Sequence, residues 1–173
     1  MTASLYDISV PSYLQILGGL SGVLEKGAKH AAENDIDLVE LMGSRLHPDM
    51  LPFCFQVVAA WHHGGAAIKG IEDGLFTPPP PHSGYSYADL QGLLATAIAD
   101  LEGLDAGTVN AMSGKSLLFR LGDMELPFTA ENFILSFSLP NLYFHTTTAY
   151  DMLRMNGTPL GKMDFLGAVR FGA

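Results

Sequence analysis

The stretch Leu139–Gly157 constrains the fold more than any other part of the chain. Pro140 is tolerated in the first turn of a helix, and Gly157 suits the position just past a helix end. Between them Leu142, Ala149, Met152 and Leu153 fall on one side at about 100° per residue, which makes that side a core face. Asn141 and His145, four residues apart, share it. Polar groups aimed at a core are costly unless a hydrogen bond or a ligand satisfies them. This pair is the one place where the sequence hints at chemistry.

The 173 residues suit a single domain over 1–173, long enough to bury a sizeable core. Nine basic against eighteen acidic residues give a formal charge of −9, a surface that repels phosphate backbones and anionic lipid. Nucleic acid and membrane are therefore not expected as partners. The most apolar run, Phe133 to Phe144, is broken by Ser136, Ser138, Pro140 and Asn141 and is too short to span a bilayer. Met1 to Asp7 carries no basic region ahead of an apolar run, so no secretory signal is expected. A lone Cys54 forms no internal disulfide and cannot by itself hold a thiolate zinc site. The expectation is a soluble cytoplasmic protein.

Four main helices and one hairpin follow from the pattern. Helix one starts at Ser9–Pro11 and runs to about Glu33, and its four glycines between 18 and 27 require tertiary packing to hold it. Their small size also lets a neighbour approach closely. Asp37 to Met42 suits a short helical turn. Helix two is expected from an Asp49 N-cap to Gly70–Gly74, with Gln56, Ala60, His63 and Ala67 on one stripe and His62 turned toward Lys69 and solvent. Pro78–Pro81 reads as an extended connector. Ser86 and Asp89 make a capping box for helix three. The runs 116–121 and 124–128 flank Gly122-Asp123 as a hairpin, with Pro127 confining the second strand to an edge. Thr129 caps the segment leading into the last helix, either as its Pro140-kinked first half or as a separate short helix. Phe165 and Leu166 pack back as an anchor.

Most motif candidates fail on inspection. Gly114-Lys115-Ser116 lacks the first glycine of a phosphate loop and is followed by a strand, not a helix. Asn156-Gly157-Thr158 matters as a glycosylation sequon only in a secreted protein. His62 and His63, adjacent on a helix, diverge by about 100° and cannot both face one metal. Asn141 and His145 remain, with Gln56 or His63 as partners across the bundle. On one reading they are hydrogen-bonded core residues. On the other they line a pocket between helices, with His145 a metal ligand or a general acid/base.

Leu5-Tyr6-Asp7-Ile8-Ser9-Val10-Pro11, the run Pro140 to His145 with Thr147, Ala149, Tyr150 and Asp151, and the tail Gly157 to Gly167 resemble a bacterial family of uncharacterised proteins. That family is similar to a branch of the DinB/YfiT-like superfamily. The resemblance implies an all-α four-helix bundle of up-down-down-up connectivity, here with a small hairpin before the last helix. It also implies a three-histidine divalent-metal site and, in some relatives, thiol transferase activity. The implied pattern is one histidine on helix two and an H-x3-H pair on the last helix. His145 stands at the second position of that pair, Asn141 at the first, and Gln56 or, less well placed, His63 on helix two.

Two imidazoles are thus replaced by amides, which are poor ligands for zinc or nickel. The leading expectation is a small-molecule pocket lined by Gln56, His63, Asn141 and His145, over a degenerate metal site of His145, Asn141 and Gln56. No cofactor is firmly implied beyond a weakly bound zinc or nickel ion. The alternatives are a divalent-metal-dependent enzyme with His145 catalytic, or a dimerisation module. Tyr143, Thr147 and Tyr150 lie opposite the core face, so either the tail or a second subunit covers them, and a homodimer is the expectation.

Overall fold

A computed structural model describes residues 3–172. Its element order is α1 (Val10–Glu33), α2 (Leu38–Gly43), α3 (Phe53–Gly65), α4 (Ala67–Asp73), β1 (Leu75–Phe76), α5 (Tyr87–Glu102), α6 (Ala106–Asn110), β2 (Ser116–Leu121) and β3 (Met124–Thr129). Then come α7 (Ala130–Phe133), a π-helical turn (Ile134–Ser138), α8 (Leu139–Met155) and α9 (Lys162–Leu166). The long helices α1, α3, α5 and α8 pack on one another around a shared core of Tyr13, Leu17, Leu20, Phe53, Leu90, Leu94, Leu142 and Leu153. The protein is mainly helical with a small three-stranded sheet. No described helix is long and apolar enough to cross a membrane.

Local signals set most boundaries. The Ser86–Asp89 capping box forms, the Thr129 hydroxyl accepts from the Asn132 amide, and the Asp37 side chain caps α2. The hairpin turns at Gly122, whose φ of 57° is left-handed, with Leu121 opposite Met124. Pro127 lies in β3, an edge strand of the sheet, as its missing N–H requires. Gly157, at φ 88°, follows the end of α8.

Three features differ from expectation. Helix two begins at Phe53 with Pro52 as the last extended residue, while Asp49 pairs with His47 outside it. It also breaks at Ala66 into α3 and α4. The sheet gains a third strand, since β1 pairs parallel to β2 through Leu75–Leu118 and Phe76–Phe119. Finally, His62 is not solvated. It is buried, donates from Nε2 to the Thr77 carbonyl at 2.8 Å, and stacks on Phe76 at 4.4 Å. The short β1 segment covers it, and that coverage depends on long-range pairing that no helix periodicity encodes.

The approach to α8 is one helical run with a widened turn. Pro140 cannot donate to the ladder, and just before it the Leu139 amide bonds back to the Ile134 carbonyl, five residues away. The turn brings Ser138 into the core. Its hydroxyl donates to the His63 carbonyl at 2.5 Å and accepts from the Tyr13 hydroxyl at 2.8 Å. The His63 carbonyl lies in the last turn of α3, where carbonyls have no helical partner, so Ser138 ties three helical segments together.

The tail explains part of the glycine content of α1. A Cβ on Gly19 would lie 2.6 Å from the Phe165 carbonyl oxygen, so only glycine admits α9 this closely. Gln15 Nε2 donates to the Leu166 carbonyl at 2.9 Å, and Lys26 pairs with Asp164 at 2.6 Å. Phe165 meets the edge of Tyr150 at 6.1 Å, so the tail covers Tyr150. Tyr143 stays exposed.

Candidate functional site

Packing of α3 against α8 brings Gln56, His63 and His145 together. Gln56, almost fully buried, donates from Nε2 to the Leu51 carbonyl at 2.8 Å. That bond fixes which way the amide points, so Oε1 faces His145 Nδ1 at 2.8 Å. An amide oxygen only accepts, so Nδ1 carries the proton and Nε2 keeps its lone pair. His145 Nε2 has no hydrogen-bond partner among the described residues and is not one of the buried unpaired atoms. It is therefore an open acceptor.

Aromatic rings surround this imidazole. Phe55 and Phe144 present edges at 5.7 Å and 5.2 Å, and the His63 ring lies parallel at 6.0 Å. His63 is enclosed in turn by His62, Phe76 and Phe137. Its Nδ1 is buried with no partner, as is the Thr146 hydroxyl. Burial, reinforced by repulsion from His62 and His145, pushes the His63 pKa down to about 3. Burial alone lowers His145 to about 4, and it lowers His62 against the pull of the Thr77 carbonyl. All three imidazoles are neutral near pH 7.

Asn141 stands apart from this cluster. Its Nδ2 donates to the Phe137 carbonyl at 2.8 Å, one turn back, and it forms no hydrogen bond with His145, Gln56 or His63. Two clefts, of about 620 and 610 Å³, lie elsewhere and include none of these four residues. The sequence signal missed His62, Phe55, Phe76, Phe137 and Phe144. Phe76 beside the proline run carried the only hint that something packs over α3.

The donor set does not fit a divalent metal ion. Gln56 Oε1 already accepts the His145 N–H, and the Asn141 amide is spent on a backbone carbonyl. Amide oxygens are weak ligands for zinc and nickel in any case. No group of three His, Cys, Asp or Glu side chains able to hold a metal occurs among the described residues. What the arrangement can do is accept a hydrogen bond at His145 Nε2 within an aromatic collar. With its pKa lowered to about 4 by burial, His145 is neutral at pH 7 and keeps Nε2 in its accepting form.

The helical core, the small sheet and the inward α3–α8 face define a DinB-like protein. The fold is similar to the crystal structure of a DinB family member from Shewanella denitrificans, with 28% identity and a TM-score of 0.79, covering 98% of this chain and 95% of that one. The chain belongs to the DUF1993 family, a domain of unknown function, which it matches over residues 5–166. No curated protein matches it.

Proposed function

We propose that this protein binds a small uncharged molecule without a metal, using the DinB-type up-down-down-up bundle as a rigid frame. His145 is the recognition group, Gln56 orients it, and His63 backs it. The observation that supports this most is the pair of unpaired imidazole nitrogens, His63 Nδ1 and His145 Nε2, on adjacent rings. Buried polar atoms normally have partners, so an unpaired one at a cluster asks for a hydrogen-bonding occupant. The occupant carries a hydroxyl, thiol or N–H donor on an apolar body, since the collar is aromatic and all three imidazoles are neutral.

The test is a titration of histidine-labelled protein with phenol, followed by the imidazole ¹⁵N resonances. Saturable movement of His145 Nε2 in the parent, with phenol binding lost in His145→Ala while the fold is retained, supports the reading. No movement, or an unchanged affinity in His145→Ala, defeats it. Stoichiometric zinc or nickel uptake by the parent protein would favour the metal-dependent enzyme instead.

Homodimerisation is a second reading, supported by exposed Tyr143 and Phe144 (39% and 56% accessible) on one surface of α8. Tyr150 no longer contributes, because the tail shields it. Phe144→Glu should lower the sedimentation coefficient of a dimer, and an unchanged value would remove this surface from consideration.

A further inference from the structure

The cleft of about 610 Å³ between α3 and α5 lies away from the imidazole cluster and has its own chemistry. Its lining includes the small residues Gly65, Ala66, Ala88 and Gly92. A Cβ on Gly65 would meet Ala97 at 2.7 Å, whereas one on Gly92 would meet nothing within 4 Å. Trp61 and Tyr85 line the trough with aromatic surface. Asp89 and Asp100 stand in the first and last turns of α5, eleven residues or about 16 Å apart along the helix. No lysine or arginine lines it.

The two carboxylates are not used up by the fold. Asp89 commits only Oδ2, which accepts from the Ser86 amide at 2.8 Å and the Ser86 hydroxyl at 2.6 Å. Asp100 has neither a hydrogen-bond partner nor an ion pair among the described residues, and it also borders the adjoining cleft of about 270 Å³. Aromatic faces attract cations and cover apolar methylene stems, while carboxylates attract ammonium groups.

We propose that this trough is a binding site for a linear polyamine. An end ammonium pairs with Asp100, a second with Asp89, and the methylene chain lies along Trp61 and Tyr85. A small monovalent cation would leave most of the volume empty and satisfy one end only. The site is independent of His145.

Trp61 is the only tryptophan in the chain, so its emission reports on the trough directly. Spermidine is titrated into the full-length protein at low salt, with calorimetry in parallel. The expected result is a saturable change in Trp61 emission that weakens about fivefold or more in Asp100→Asn. Gly92→Leu, which fills the trough where there is free space, should abolish binding while the circular dichroism melt persists. The proposal is overturned by a response that does not saturate, or by one that magnesium reproduces at matched ionic strength. It is equally overturned if tetramethylammonium binds as well as spermidine, or if Asp100→Asn binds within twofold of the parent.

Discussion

The two sides of α3 solve opposite problems with the same helix. Gln56, His62 and His63 face an interior where charge is excluded, so every imidazole is neutral; single hydrogen bonds orient His62 and His145, and ring contacts alone hold His63. Trp61 and Gly65 face an open trough flanked by two carboxylates of α5, one of them without a partner among the described residues. The first side is sensitive to pH and to loss of any one partner. The second is sensitive to salt and barely linked to stability. An imidazole with a hydrogen-bond vacancy and a carboxylate with a charge vacancy call for different ligands.

Acid should break the comparison most strongly. The folded pKa values of His63 and His145 lie below the unfolded value of 6.5, so both side chains stabilise the neutral native state above about pH 6.5. As pH falls below that, the unfolded chain takes up protons that the native state refuses. The loss continues until the folded values near 4 and 3 are reached. Between pH 7.5 and pH 5 each contributes about 2 kcal/mol of destabilisation, roughly 4 kcal/mol together. Urea unfolding at the two pH values measures this, and a double His63→Phe, His145→Phe variant should flatten most of the slope.

Next in size is Ser138→Ala. It removes the hydroxyl that serves the His63 carbonyl and the Tyr13 hydroxyl, leaving both buried without a partner, at a cost of about 2 kcal/mol in unfolding free energy. A loss below about 0.5 kcal/mol would mean that the widened turn is held by packing alone. Gln56→Leu leaves the His145 N–H unpaired and should cost about 1 kcal/mol. It should also mix the two His145 tautomers, visible as a change in the ¹⁵N shifts of both ring nitrogens. Asp100→Asn comes last, changing stability by less than about 0.5 kcal/mol because its carboxylate has no partner in the fold.

What was readable in advance was what the chain encodes within a few residues. Ser9–Glu33, the Ser86–Asp89 box, the Thr129 cap, the Gly122 turn and the Gly157 stop all rest on local chemistry. His145 was also reachable, because helical spacing placed it on the core face, and Gln56 through the stripe it shares with His63 as a partner across the bundle. The burial of His62 was not, since it depends on β1 crossing to β2 more than forty residues later. Asn141 shows the limit of a helical wheel: spacing put it beside His145, but a short amide one turn from a backbone carbonyl bonds locally first. The break at Ala66 had no proline to announce it.

The contact between α1 and α9 sets a limit on how this chain can vary. At Gly64 an added methyl would meet the side chain of Leu17 at 3.0 Å, and a smaller residue at position 17 could make room for it. At Gly19 the obstacle is the backbone carbonyl of Phe165, which every amino acid carries. Changing residue 165 does not remove that oxygen. The first position can drift together with a neighbour, whereas the second changes only if the whole tail lifts from the helix.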